Sequence, residues 1–211
     1  MKLTFEEVKR DLDALNTGYK TADVDKLIKK YVKNRADVSL LRPYVFTCAQ
    51  LHRIYFFVSL KQLKDVELRM KFIDENLLFR DWWHTDQLIK FVSDLDFNLA
   101  LKYAKGYISS SDPFIQRWGY VLFISKLGRG RALDLLPLMQ NSDNYYLQMA
   151  EAWLITELAI FQPEEVFVWL KECNLRYNIT GKAVQKICDS FRISDEWKER
   201  FKVLRPLLKT K

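Results

Sequence analysis

The residues best suited to chemistry stand in one run, Asp81-Trp82-Trp83-His84-Thr85-Asp86-Gln87. Tandem tryptophans at a helix start are costly to expose, because each joins a large apolar ring to an N–H donor that needs an acceptor. Aromatic faces beside a carboxylate suit a cation, either a positively charged base or a sugar developing oxocarbenium charge. The alternative is a core Trp82 or Trp83 with Asp81 as a helix cap. Other chemistries lack their residues. The 6 glycines form no phosphate loop, and the 3 cysteines, Cys48, Cys173 and Cys188, make no CxxC pair. With His52 and His84 far apart in the chain, no metal site and no cofactor is expected.

These residues need a scaffold, and the scarcity of turn formers, 6 Gly and 5 Pro in 211 residues, argues for helices joined by short turns. Thr4 with Glu7 forms a capping box ahead of Val8, Leu12 and Leu15. Asp112 before Pro113, and Gln162 before Pro163-Glu164-Glu165, place proline at a first helical turn. The spacing predicts helices over 4–15, 22–33, 44–62, 65–79, 83–93, 96–108, 113–127, 130–139, 144–161, 163–173, 180–190 and 194–208. Ser111-Asp112-Pro113-Phe114-Ile115-Gln116 returns as Ser142-Asp143-Asn144-Tyr145-Tyr146-Leu147-Gln148 with one residue inserted, so the repeat is a helix pair. Pairs at this period indicate an all-α fold, a right-handed superhelical solenoid of HEAT-like helix pairs forming a single domain over 1–211.

The formal charge is +7, with 34 basic and 27 acidic residues. Residues 171–211 alone carry 11 basic and 5 acidic side chains. Basic ends around an acidic middle suit the rims of a nucleic-acid groove or, equally, solvated helix faces. Gly128-Arg129-Gly130-Arg131 reads as a phosphate clasp or as a helix C-cap. The run Lys198, Arg200, Lys202, Arg205, Lys209 and Lys211 reads as a DNA rim or as a basic tail. The N-terminus lacks a signal peptide's apolar run, and Gln50, His52 and Arg53 interrupt the densest apolar stretch, so a cytoplasmic protein with no membrane contact is expected.

The segment Asp81 to Gln87, then Phe114-Ile115-Gln116-Arg117, then Tyr146 to Glu157 with Pro163-Glu164-Glu165-Val166 following, resembles the bacterial DNA alkylation repair glycosylases built of HEAT-like repeats, the AlkD family. The likeness covers roughly residues 65–190 and leaves 1–45 without a counterpart to the family's N-terminal segment. The resemblance implies a monomeric solenoid whose concave basic face wraps duplex DNA and excises cationic bases such as 3-methyladenine and 7-methylguanine. It implies Trp83 and Trp153 as the aromatics around the lesion's sugar and Arg117 as a phosphate contact. Lys126, Arg129 and Arg131 are further DNA-binding candidates. Gln87 stands where the family has its catalytic aspartate, with Asp86 one residue earlier, so both are candidates for the catalytic position. Thr156 replaces a family arginine in the DNA-binding set. The alternative is a catalytically inactive scaffold that binds nucleic acid or another protein on the same surface.

Overall fold

In the computed structural model, residues 2–15 and 20–210 are described, which leaves Gly18 and Lys211 outside. Where the sequence suggests one domain over 1–211, contacts gather the chain into two compact units, Met1–Leu78 and Phe79–Lys211. The described residues form thirteen α-helices and no strand.

The first unit opens with α1 (Phe5–Asp13), where the Thr4 hydroxyl accepts from the Glu7 amide and the Glu7 carboxylate accepts from the Thr4 amide. In α2 (Thr21–Lys33) the buried residues Val24, Leu27, Ile28 and Tyr31 follow the i, i+3, i+4, i+7 spacing and pack on α3 (Ala49–Gln62). The predicted helix 44–62 begins only at Ala49, because a 3-10 turn over Ser39–Tyr44 contains Pro43 and Cys48 is extended. Asp65 caps α4 (Val66–Asp74).

The second unit holds α5 (Trp82–Asp86), α6 (Ile89–Val92), α7 (Phe97–Ile108), α8 (Pro113–Val121), α9 (Ala132–Leu135), α10 (Tyr145–Phe161), α11 (Pro163–Glu172), α12 (Tyr177–Asp189) and α13 (Asp195–Lys209). The predicted helix 83–93 is broken into α5 and α6. The Thr85 hydroxyl bonds the Trp82 carbonyl, and the Leu88 amide takes the tighter i−3 bond to Thr85. Helix 130–139 shortens to α9 and a 3-10 turn because Pro137 has no N–H to continue it.

The caps of α8 and α10 match bond for bond. The Ser110 hydroxyl accepts from the Asp112 amide, and Asp112 accepts from the amides of Phe114 and Ile115. Ser142, Asn144, Tyr146 and Leu147 repeat those bonds in the same order. The cap of α10 is therefore Asn144 rather than Ser142-Asp143, and no inserted residue is needed. Helix α5 packs on α8, α8 on α10, α10 on α12 and α12 on α13, while α11 covers α10 and reaches α13. Helix α10 is the hub and is buried on most sides, with Leu147, Ala150, Leu154, Ile155 and Leu158 all inside. Close approach of α7 and α8 depends on Gly119, where a Cβ would stand 2.7 Å from the Ile108 side chain.

Candidate functional site

Four helices of the second unit each turn one face to a common cavity of about 370 Å³. Its lining is Trp82 and Asp86 from α5, Arg117 from α8, Tyr145, Tyr146, Met149 and Trp153 from α10, and Lys186 from α12. Helical spacing explains the selection. Trp82 and Asp86 are one turn apart, and Tyr145, Met149 and Trp153 recur every fourth residue along one stripe. Burial of His84, Thr85 and Leu88 fixes the phase of α5 and leaves Trp82 48% exposed on the cavity side.

Asp86 is the only carboxylate in this lining. The Arg117 guanidinium grips it from beneath, with Nη2 donating to Oδ1 and Oδ2 at 3.0 Å each and Nε to Oδ1 at 3.2 Å. Arg117 is itself 4% exposed, and its Nη1 donates to the Tyr146 carbonyl at 2.8 Å, which ties the start of α10 to α5 through one side chain. The Thr85 hydroxyl adds a bond to Oδ1, so Oδ2 accepts a single hydrogen bond among the described residues. Burial raises the Asp86 carboxyl above its ordinary range, opposed by the adjacent Arg117 charge and by hydrogen bonds from Arg117 and Thr85. A bidentate pair of this kind holds a carboxylate in one orientation. The aromatic side chains that line the cavity with it favour a cationic guest.

The sequence candidates divide. Asp86 and Trp153 line the cavity, and so does Arg117, but as the anchor of Asp86 rather than as a free phosphate ligand. Trp83 does not line it: its Nε1 donates to Asp81 Oδ2 at 3.0 Å and its ring lies 3.9 Å from that of His84. Gln87 is the C-cap of α5, its amide bonded to the carbonyls of Trp83 and Thr85, and it too lies outside the lining. The tryptophan and acid one turn apart are thus Trp82 and Asp86: of the two candidates for the catalytic position Asp86 lines the cavity and Gln87 does not, and Trp82 stands there instead of the expected Trp83. Thr156 is buried at 6% exposure, its hydroxyl donating to Ala152 and Ala183 carbonyls, so it stitches α10 to α12 instead of facing DNA. Lys126 pairs with Asp94. Arg129 stacks over Phe161, while Arg131 stacks over Phe97 and pairs with Asp134. All three are exposed, none lines the cavity, and Gly130 between the two arginines takes a positive φ of 67°.

Sequence reasoning missed Tyr145 and Met149, together with Tyr146, Lys186 and the choice of Trp82 over Trp83. The first two were legible as a stripe with Trp153, whereas Lys186 carries no signal until α12 is seen beside α10. No cluster of His, Cys, Asp and Glu able to hold a metal occurs among the described residues, and no helix of theirs is long and apolar enough to cross a membrane. No family model, curated protein or solved structure matches this chain.

Proposed function

We propose that this chain is a DNA alkylation repair protein that hydrolyses the N-glycosidic bond of cationic 3-alkyladenine or 7-alkylguanine in duplex DNA, on a solenoid of HEAT-like helix pairs. The observation that carries the reading is the arrangement of Trp82, Asp86 and Trp153 around one cavity, with Asp86 oriented by Arg117. An alkylated base already bears positive charge, so it leaves with the C1′–N bonding pair as a neutral molecule and needs no general acid. The sugar left behind is oxocarbenium-like. Asp86 stabilises that charge and orients the water whose oxygen bonds C1′, the released proton passing to Asp86 and then to solvent. Trp82 and Trp153, in the same lining, supply aromatic surface that favours that charge.

A second reading follows from the grip of Arg117 on both Asp86 oxygens. A carboxylate so engaged also serves as a strut between α5 and α8, as in a scaffold that binds nucleic acid or protein without cleaving it. Release of free base from N-methylated duplex DNA under single-turnover conditions separates the two. Wild type releases base, and Asp86→Asn lowers the rate by about 100-fold, the scale of losing one electrostatic stabiliser. Gln87→Asp leaves the rate near wild type, because position 87 lies outside the cavity. Equal release by wild type and Asp86→Asn would remove the hydrolytic role of Asp86. Absence of release together with salt-sensitive DNA binding would establish the scaffold.

A further inference from the structure

Lys186 is the one lysine in the lining of the aromatic cavity. It also lines a second cavity of about 460 Å³, which shares Met149 with the first and continues over Tyr177, Lys182 and Arg205. One turn earlier, Lys182 is tied down, its Nζ donating to the Asn178 carbonyl at 2.8 Å and to Gln148 Oε1 at 3.3 Å. Lys186 is half-buried and has neither a hydrogen bond nor an ion pair among the described residues. The cavity that holds the only lining carboxylate thus also holds an amine with no competing partner.

Primary amines condense with carbonyls, and an abasic deoxyribose in its open form is an aldehyde at C1′. We propose that Lys186 forms an imine with the C1′ aldehyde of an abasic site, giving the cavity a DNA lyase activity. This inference rests on the reading above, because the abasic sugar is the product of that hydrolysis. Lysine gives up its ammonium proton to solvent, and Nζ adds to C1′. The C1′ oxygen departs as water and an N–C1′ double bond forms. Loss of the C2′ proton to water then drives elimination: the C2′–C3′ double bond forms, and the C3′–O bond breaks with its electron pair leaving on the phosphate. Hydrolysis of the imine restores the amine. No oxidant or reductant is consumed.

Borohydride reduces such an imine to a stable secondary amine, so the full-length protein is incubated with duplex DNA carrying one pre-formed abasic site and the reductant. A covalent protein–DNA species is expected, with the adduct mapped by mass spectrometry to the peptide containing Lys186. Lys186→Arg keeps the cation but cannot form the imine, and it lowers trapping at least about tenfold, as does Lys186→Ala, with thermal melting confirming that both fold. Trapping at wild-type yield in Lys186→Arg, or an adduct mapped to Lys182 or any other lysine, overturns the proposal. The parallel release of base from methylated DNA keeps the two readings apart. Wild type that releases base but is not trapped overturns the lyase alone. Trapping at Lys186 without base release upholds the lyase and overturns the hydrolysis, and failure in both overturns both.

Discussion

At the scale of single residues, the site is organised by what lies behind it. His84 is 5% exposed, and its Nδ1 accepts from the Arg80 amide at 3.2 Å, a bond only an unprotonated nitrogen makes. Burial depresses its pKa from the ordinary 6.5 to about 4, although Asp81 pulls the other way. The unfolded chain therefore takes up a proton near pH 6.5 that the native state refuses until near pH 4. Stability contributed by the neutral ring is complete above pH 6.5 and is lost as pH falls, by about 2 kcal/mol at pH 5. Urea unfolding at pH 7 and pH 5 should show that loss in wild type and a smaller one in His84→Gln, which keeps an acceptor but does not titrate. Parallel losses in both proteins would mean that His84 is not the group responsible. This histidine also bears on what was readable. Composition and spacing mark the tandem tryptophans, but the choice between them depends on which way His84, Thr85 and Leu88 turn into the core. One residue of helix phase separates Trp82 from Trp83 and Asp86 from Gln87.

At the scale of helices, the caps and breaks were legible because their causes are local. Asp112-Pro113, Gln162-Pro163 and Thr4 with Glu7 each announce a helix start, and each helix begins within a residue of its signal. The break between α5 and α6 was not legible. It consists in the Leu88 and Phe91 amides taking the tighter i−3 bonds to Thr85 and Leu88, and neither glycine nor proline stands there to announce it. The register of the repeat lay between these cases, since Ser142, Asp143 and Asn144 are all capable caps and geometry selects Asn144. Its side chain accepts from Tyr146 and Leu147, at the start of the helix that carries Tyr145, Tyr146, Met149 and Trp153 into the cavity. Asn144→Ala should therefore cost about 1 kcal/mol in chemical denaturation. Asp143→Ala, which removes a side chain whose one contact is an exposed ion pair with Arg176 and leaves the backbone carbonyl that accepts from Gln148, should cost less than about 0.5 kcal/mol. A reversed order of the two values would restore the sequence alignment of the repeat.

At the scale of the molecule, charge is the property that distinguishes a nucleic-acid partner from a protein one. The excess of basic side chains over residues 171–211 is not spread evenly around α12 and α13. Beyond the aromatic cavity, two further cavities share Tyr177, Gln185, Asp189 and Arg205, and between them they are lined by Lys182, Lys186, Lys202, Arg205 and Lys209 against the single acid Asp189. Arg205 spends Nη1 on Gln185 Oε1, while its Nε is buried without a hydrogen-bond partner among the described residues. Lys202 pairs with Glu199 on the same helix, an exposed pair that a phosphate can displace at little cost. This path of cations starts at the cavity that holds Asp86 and follows α12 to α13, so a bound strand that places a sugar beside Asp86 would lay its flanking phosphates along it. Each phosphate neutralised releases condensed counterions, and the logarithm of the affinity then falls linearly with the logarithm of salt, by about 0.9 per contact. Replacing Lys202 and Lys209 together with glutamine should flatten that slope by about 2 and weaken binding uniformly across sequences. Fluorescence anisotropy with unmodified duplex DNA from 50 to 200 mM salt, roughly the range over which such contacts dominate, measures it directly. A slope that the double variant leaves unchanged would take α13 out of the proposed DNA interface and confine the proposed recognition to α5, α8, α10 and α12.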